Sequence, residues 1–284
     1  MAGSSMKGIK LRIKSVESTM QITKAMQLVA TSKLRRAKER MEASKPYATI
    51  SREAMTAAAS RCESEKIPFA AERDVKKRCY IVIAGERGLA GGYNANVFKA
   101  QTAHAGETPY CVLPLGKKAV EKYARMRVPL LSDGYSRVEG LSVGTCYKLS
   151  RQLVKGYLEE EYDEVFIAYT SFHSMLSQEV VIEKLLPIEK PAQREDEPPR
   201  LVATVYEPDP EEMLRAVVPD FIAGRLYSAA CDSFASEVSA RRSAMDSATK
   251  NAGEMISDLR LKYNRARQGA ITQEITEIVA GAEN

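Results

Sequence analysis

DPEEMLRAVVPD, residues 209–220, opens the stretch that decides the fold of this 284-residue chain. Asp209 can cap the free backbone donors of a helix, and Pro210 suits the first helical position. Small or apolar residues then recur at steps of three and four, at Met245, Ala248, Ala252, Ile256, Leu259, Tyr263, Ala266 and Ala270. This spacing predicts a coiled-coil seam. About 70 residues at ~1.5 Å each would form a rod of roughly 100 Å, which needs a helical partner.

The N-terminal region supplies that partner, because its pattern predicts one helix from about residue 9 to residue 60. Its seam runs through Ile9, Ile13, Val16, Met20, Thr23, Ala30, Leu34, Ala37 and Met41. The one breaker inside this helix, Pro46, is expected to kink or loosen it. We therefore predict that the two terminal helices pair antiparallel as a long coiled coil.

Residues 22–30 depart from the simple seam pattern. Apolar side chains fall on nearly every side of the helix there, so this segment should be buried by more than its partner helix. The basic run KLRRAKER follows directly at residues 33–40. A solvated helix face is the simplest interpretation of such a run. A coiled-coil tether that binds nucleic acid is the alternative.

Between the two helices, short apolar runs alternate with amphipathic segments. Strands are predicted at residues 79–84, 110–115, 128–131, 164–170 and, as a sheet edge, 179–186. Helices are predicted at residues 93–105, 117–127 and 143–161, and a loop at 191–199 precedes an extended piece at 201–206. The alternation indicates an α/β domain with a mostly parallel sheet. The predicted domains are residues 1–66, 75–206 and 209–284.

Composition limits the function classes further. The net charge of +5 is too mild to imply nucleic acid by itself, and no stretch approaches the 18 apolar residues of a membrane span. Five scattered cysteines without a CxxC pair indicate reduced thiols, and two isolated histidines do not predict a metal site. The start of the chain lacks the apolar core of a signal peptide. We expect a chain that faces the cytosol and carries neither metal nor cofactor.

The glycine-rich sequence GERGLAGGYN, residues 85–94, follows the first strand, where a doubly wound fold binds a dinucleotide. Its glycines stand at positions 85, 88, 91 and 92, which is not the GxGxxG spacing, and no GxxxxGK[ST] loop occurs. The sequence therefore favours a tight structural turn or a protein contact over a nucleotide site.

GLSVG at residues 140–144 matches the GxSxG nucleophile elbow of hydrolases. The residues before it are polar rather than strand-like, and His173 is the one histidine that follows it. A helix start capped by Ser142 is therefore favoured over a catalytic serine.

A polar set near the C-terminus comprises Arg267, Gln268 and Thr272. Gln268 and Thr272 lie one helical turn apart on the same face. Such donors can bind carboxylates on a surrounding protein, and an exposed polar stripe is the alternative.

Two long motifs resemble the gamma subunit of F-type ATP synthases. They are ITKAMQLVATSKLRRAKER at residues 22–40 and MDSATKNAGEMISDLRLKYNRARQGAITQEITEIVAGA at residues 245–282. The glycine-rich turn and YEPDP at residues 206–210 are also similar to that family. Ala90 stands where relatives often have cysteine, and residues 187–201 lack the cysteine pair of the chloroplast type. Thiol regulation is therefore not expected.

The resemblance implies a mixed α/β fold in which a Rossmann-like domain is inserted between the halves of an antiparallel coiled coil. That coiled coil would rotate, one copy per complex, inside a ring of three alpha and three beta subunits. The resemblance places Met26, Lys33, Arg35, Arg36, Arg267, Gln268 and Thr272 against this ring, and Tyr206 and Glu207 against the ring of c subunits. It also implies an epsilon partner, no catalytic site, and a position on the cytoplasmic face of a bacterial membrane. An organellar inner or thylakoid membrane is the alternative.

Overall fold

A computed structural model describes residues 2–60, 68–71, 73–134, 137–175, 177–188 and 210–282. Its elements in chain order are α1 (Ala2–Ser60), β1 (Arg78–Ile83), α2 (Tyr93–Ala105), β2 (Tyr110–Leu115), α3 (Lys117–Arg125), α4 (Val143–Leu158), β3 (Glu164–Phe172), β4 (Gln178–Leu186) and α5 (Pro210–Ala282). The chain forms two compact units, both of which contain parts of α1 and α5. The helical unit comprises Met1–Ser32 and Arg241–Asn284, and the sheet unit comprises Lys33–Ala240.

The helical unit is an antiparallel pair of helices. Residues further along α1 contact residues earlier in α5: Glu17 pairs with Arg260, and Thr23 bonds to Thr249. The predicted seams are confirmed, because every residue in them is half-buried or buried. Met245, Ala252, Ile256 and Leu259 are buried in the α5 seam.

The sheet unit is built on a four-stranded sheet with the order β2-β1-β3-β4. β1 pairs in parallel with both β2 and β3, whereas β4 pairs antiparallel with β3 at the edge. The prediction of a mostly parallel sheet with residues 179–186 at its edge is thereby confirmed. Each central strand is a continuous apolar run because helices cover both of its faces.

Two apolar cores lie on opposite faces of this sheet. On one face, α2 and α3 pack against Tyr80, Val82 and Phe166. On the other, α4 and segments of α1 and α5 pack against Ile81 and Ile167. Residues 221–239 of α5 are buried on nearly every side, so this part of the helix belongs to the core of the unit rather than to its surface.

Two glycines allow close approaches that a side chain would prevent. A Cβ on Gly224 of α5 would lie 2.2 Å from the Tyr47 ring of α1, so glycine lets the two helices approach there. Gly116 has φ +91° before α3, and a Cβ on it would lie 1.9 Å from the Ala84 carbonyl oxygen. The strand-to-helix turn therefore requires glycine at position 116.

Several predicted boundaries differ from the structure. α3 ends at Arg125 rather than residue 127, and α4 ends at Leu158 rather than residue 161. The strand predicted at residues 128–131 is reduced to one bridge, Val112 with Leu130. α1 continues as a helix through Pro46, and the kink predicted there stays a prediction. The domain division also stays a prediction, and Asp209, the loop at 191–199 and the extended piece at 201–206 lie outside the described residues.

Candidate functional site

An apolar surface lies on α1 away from its seam. Ile22 is 58% exposed, Leu28 65% and Val29 58%, while Met26 is half-buried. Ile22, Met26 and Val29 follow one another at steps of four and three, so they form a single stripe along the helix. Large apolar side chains grouped in this way mark a contact surface. The structure therefore places the predicted residue Met26 within an apolar surface that the described residues leave uncovered.

The C-terminal end of α5 carries a second surface. Ile271, Ile275 and Ile278 recur at steps of four and three and are all exposed. Beside them, Gln268 and Thr272 share one face, where the Thr272 hydroxyl donates to the Gln268 carbonyl oxygen at 3.0 Å. Arg267 is exposed immediately before Gln268. The structure thus brings the three predicted polar residues together beside an apolar stripe.

The basic run of α1 does not present a uniform row of cations. Lys33 Nζ pairs with Glu139 at 2.7 Å. Arg35 has its nearest carboxylate on Glu39 at 4.0 Å, with both side chains mostly exposed. Such a surface pair contributes little to stability. Arg35 and Arg36 therefore remain accessible to a partner, whereas Lys33 is engaged within the chain.

Two further cations of this run pack against aromatic rings of the sheet unit. Lys38 Nζ lies 5.3 Å from the centre of the Phe172 ring, and Arg40 lies over the Tyr227 ring and donates to its hydroxyl at 3.2 Å. A nucleic-acid tether needs several cations aimed at successive phosphates. These contacts therefore weigh against that alternative.

The glycine-rich turn after β1 is filled by the protein itself. Asn94 Oδ1 accepts a hydrogen bond from the Gly85 backbone at 2.8 Å, and the buried Glu237 carboxylate of α5 lies where a Cβ on Gly85 would meet it at 2.9 Å. The Tyr93 hydroxyl bonds to Ser233 of the same helix. A carboxylate at this position repels phosphate, so the turn is a structural contact with α5.

Glu86 is a second carboxylate near this turn. Burial raises the pKa of Glu86, and the neighbouring Glu237 carboxylate raises it further, although a bond from the Val138 backbone opposes both effects. A half-buried carboxylate, Glu86, and a buried one, Glu237, that repel each other at this turn disfavour an anionic ligand. This electrostatic arrangement agrees with the structural interpretation of the turn.

The GxSxG sequence is a helix cap. Ser142 Oγ accepts a hydrogen bond from the Thr145 backbone at 3.1 Å, and α4 begins at the next residue. Gly140 has φ +88°, which turns the chain into the helix. His173 pairs instead with Glu179 at 3.5 Å. The Ser142 hydroxyl is therefore used for capping.

Sequence reasoning missed two groups of charges at the β4 edge of the sheet. Glu183 of β4 is held by Arg52 of α1 and by Arg225 of α5, which contacts both carboxylate oxygens. Burial alone would lower the pKa of Arg225, but its bonds to Glu183 raise it above the usual value. No periodicity in the sequence could have predicted a contact among residues so far apart.

The second group lies on the opposite side of the same edge. Glu164 of β3 accepts bonds from Arg78 at 2.8 Å and Lys184 at 2.9 Å. Burial would raise the pKa of Glu164, but the bonds from Lys184 and Arg78 outweigh it and hold the pKa below 4.5. Both groups line a groove of about 790 Å³. Because Glu183 and Glu164 each bind two cations from other parts of the chain, both groups of charges have a structural role.

Within the described ranges, no helix is both long enough and apolar enough to cross a membrane. Tyr206 and Glu207, the predicted contacts to the c ring, lie outside the described residues.

The fold and these surfaces define a class of protein: a long antiparallel helix pair with an inserted Rossmann-like domain, which presents contact surfaces to partners. The sequence model of the family described as ATP synthase matches residues 5–284. The ATP synthase gamma chain of Ruminococcus albus is 44% identical over 99% of both chains. A gamma chain of Acetobacterium woodii, described as sodium ion specific, is 40% identical over 97% of both. This chain therefore belongs to the ATP synthase family, among its gamma chains.

Solved structures show the same fold. A chain of the Euglena gracilis mitochondrial ATP synthase superposes with a TM-score of 0.69 at 16% identity, covering 99% of this chain and 94% of that one. A chain from the central stalk and c ring of the Tetrahymena thermophila enzyme gives 0.58 at 23% identity, covering 80% and 99%. The mixed α/β fold with a long coiled coil is thereby confirmed.

Proposed function

We propose that this chain is the central rotating shaft of an F-type ATP synthase. It couples ion-driven rotation of a c ring to ATP synthesis and hydrolysis in a ring of three alpha and three beta subunits. The observation that carries the proposal is the apolar stripe of Ile22, Met26 and Val29. Its helix is already paired along its seam, so a surrounding apolar sleeve is the partner that this stripe fits.

The shaft works through contact rather than through covalent chemistry. Its α1 and α5 surfaces differ, so the three beta subunits of the ring, identical in sequence, each meet a different surface. A subunit that binds one surface better than another shifts toward the conformation that makes this contact. Rotation then moves each subunit through its conformations in turn. ATP chemistry therefore belongs to the ring, and this chain is non-catalytic.

The residues assigned to the ring have distinct roles. Met26 and its apolar neighbours provide a bearing surface with little resistance to sliding, because apolar contacts are non-directional. Arg267 and Gln268 supply directional donors that can hold a carboxylate loop of the ring, and Thr272 joins them when its hydroxyl turns away from the Gln268 carbonyl oxygen. Among the basic residues, Arg35 and Arg36 are better placed than Lys33, which already pairs with Glu139.

The remaining partners follow from the family. We assign Tyr206 and Glu207 to the contact with the c ring and the sheet unit to the contact with an epsilon subunit. The complex would lie on the cytoplasmic face of a bacterial membrane, as the bacterial sources of the similar gamma chains suggest.

The experiment that tests the shaft assignment combines purification with one substitution. A tagged chain extracted from membranes in mild detergent should bring down alpha and beta subunits at three each, with ATPase activity. In that complex, Met26→Lys places a charge in the apolar bearing, whose desolvation is costly. Gradient-driven ATP synthesis should fall more than ATP hydrolysis.

The matched control is Met126→Lys, which introduces the same charge on an exposed methionine of the sheet unit. It should leave coupling unchanged. Recovery of the chain without alpha and beta subunits would contradict the shaft assignment. Normal coupling in Met26→Lys would contradict the position of the bearing.

A further inference from the structure

Two cysteines of neighbouring strands form a pair on one face of the sheet. β1 pairs in parallel with β2, and Cys79 stands directly opposite Cys111 in their register. Successive side chains of a strand point to opposite faces. Both cysteines belong to the core that α4 covers, whereas Tyr80 and Val112 belong to the core on the other face. The two thiols are therefore neighbours across the strand pair.

The spacing of the strands suits a covalent link between these thiols. Neighbouring strands lie about 4.8 Å apart, and the Cα atoms that a disulfide joins are usually roughly 4.4–6.8 Å apart. The Cys111 thiol donates to the Arg78 carbonyl oxygen at 3.7 Å. This bond holds the Cys111 side chain against β1, beside the residue that carries the other thiol. A disulfide here keeps the register of the strands.

The two thiols differ in acidity. The contact with the Cys79 thiol lowers the pKa of Cys111 and outweighs the opposing effect of burial, and the Lys77 cation acts in the same direction as Cys79. Burial raises the pKa of Cys79 instead. A thiolate rather than a thiol attacks an oxidant. Cys111 is therefore the thiol that reacts first, and Cys79 is the thiol that follows.

Cys146 and Cys231 serve as a comparison within the same chain. Burial raises the pKa of Cys146 to about 12 and also raises that of Cys231. Both lie in helices, α4 and α5, rather than opposite a cysteine of the sheet. Cys231 is nevertheless the most exposed of the four cysteines that the structure describes, at 8%. Exposure would direct an oxidant to Cys231, whereas pairing directs it to Cys79 and Cys111.

We propose that Cys79 and Cys111 are an oxidation site of the sheet unit, at which hydrogen peroxide links β1 to β2 through a reversible disulfide. Both thiols are free in the structure, as the sequence predicts. The expectation that thiol regulation is absent rested on Ala90 and residues 187–201, and it does not concern this pair. The site does not depend on the proposed shaft function.

The link forms in two steps. The Cys111 thiolate attacks one oxygen of hydrogen peroxide, the O–O bond breaks, and the released hydroxide takes up a proton to leave as water. Cys111 is then a sulfenic acid. The Cys79 sulfur attacks the sulfenic sulfur, the S–O bond breaks, and hydroxide leaves with the Cys79 proton as a second water. The two thiols lose two electrons and two protons together, and peroxide is reduced to two waters.

Access to the site depends on opening of the strand ends. Cys79 is fully buried and Cys111 is 2% exposed, but each is the second residue of its strand. β2 is also the outermost strand of the described sheet. Strand ends open locally at a lower free energy than the whole domain, so peroxide reaches Cys111 during such openings, more slowly than it reaches an exposed thiol. The disulfide then closes a loop that includes α2 and opposes further opening of β2.

The test oxidises the chain within its membrane-extracted complex and identifies the link by mass. After treatment with peroxide, the free thiols are blocked with N-ethylmaleimide in denaturant and the chain is digested with trypsin. Cleavage after lysine and arginine places the two cysteines on separate peptides, residues 79–87 and 100–117. We expect these peptides to be joined, at their summed mass less two hydrogens, and to be separated again by dithiothreitol.

Three comparisons accompany this measurement. Cys111→Ala should abolish the joined peptide, whereas the matched control Cys146→Ala should keep it, because Cys146 is an equally buried cysteine of the same core. Oxidation after unfolding lets all five cysteines compete, so the share of this link should fall severalfold once the strands no longer hold the thiols together. Hydrogen exchange of the β2 amides should slow on the order of a hundredfold after oxidation of the folded chain.

Absence of the joined peptide would overturn the site, and oxidation of Cys231 in its place would mean that exposure decides. An equal share of the link in the folded and the unfolded chain would overturn it as well. A joined peptide without slower exchange of β2 would overturn the effect of the link on this strand. These measurements use the unaltered chain, so they decide even if Cys111→Ala does not assemble. Failure of the shaft function would appear separately, as absence of the ring subunits from the purified complex.

Discussion

Arg225→Met is the substitution that best tests the electrostatic ties of the sheet unit. The Arg225 side chain is 10% exposed and contacts both oxygens of Glu183, which is 13% exposed. Methionine keeps much of the aliphatic stem and removes the charge. Among the described residues, Glu183 would then retain the cation of Arg52, whose side chain is 48% exposed.

The expected loss follows from that burial. Removal of one partner from a buried ion pair costs about 3–5 kcal/mol, because the other charge stays buried without compensation. Arg52 still compensates part of the Glu183 charge, so we expect about 3 kcal/mol, the lower end of that range. This corresponds to a factor of about 150 in the local opening equilibrium.

Hydrogen exchange of the chain within its complex measures this loss directly, because amides of β4 report local opening. Arg52→Met is the matched control, since it removes an exposed partner of the same carboxylate and should cost about 1 kcal/mol or less. Adding Glu183→Leu to Arg225→Met should restore more than half of the protection, because the uncompensated charge is then gone.

Two results would refute this reasoning. Arg225→Met could accelerate exchange no more than Arg52→Met does, which would mean that burial does not set the cost. Alternatively, the double variant could exchange faster than Arg225→Met alone, which would mean that Glu183 stabilises β4 without its arginine.

Three further predictions concern the contact surface, the helix cap and pH. Arg267→Ala with Gln268→Ala should lower ATPase turnover of the complex about tenfold, because it removes donors to a charged loop of the ring. The control Gln273→Ala should leave turnover unchanged, and equal turnover in the two variants would contradict the proposed contact of Arg267 and Gln268 with the ring. Ser142→Ala should destabilise α4 by about 1 kcal/mol in exchange measurements, with esterase activity absent before and after. Because the pKa of Glu164 is lowered in the folded chain, its ionised carboxylate stabilises the fold above pH 4.5, and this stabilisation is lost as the pH falls through the lowered pKa. Glu164→Gln should therefore reduce the dependence of folding stability on pH in the acid range. An unchanged dependence would exclude Glu164 as its source.

The sequence predicted α2 and β2 at their observed limits, because glycine and proline mark their boundaries. It placed the ends of α3 and α4 too late. The chain turns there through Arg127 at φ +56° and Glu160 at φ +58°, and a left-handed arginine or glutamate carries no sequence signal comparable to glycine. The prediction of a strand near Leu130 was wrong for a different reason: Pro129 has no backbone N–H to donate to the hydrogen-bond ladder of a sheet.

The candidate site likewise has some features that the sequence predicts and others that it does not. Surfaces that depend on helical periodicity, such as those of Met26 and of Gln268 with Thr272, follow from the sequence because their members are close in the chain. Contacts such as Glu237 at Gly85 do not, because they depend on tertiary placement of distant elements.

The Glu237 carboxylate at the glycine-rich turn has a consequence for how the sheet unit responds to the cell. A Rossmann domain that binds a nucleotide gains about 2.7 kcal/mol of stability when the ligand is present at 100 times its Kd. Its rigidity would then rise and fall with the adenylate pool. Here the Glu237 carboxylate lies at the turn instead, so the turn offers no place where a bound nucleotide would add to the stability of the sheet unit.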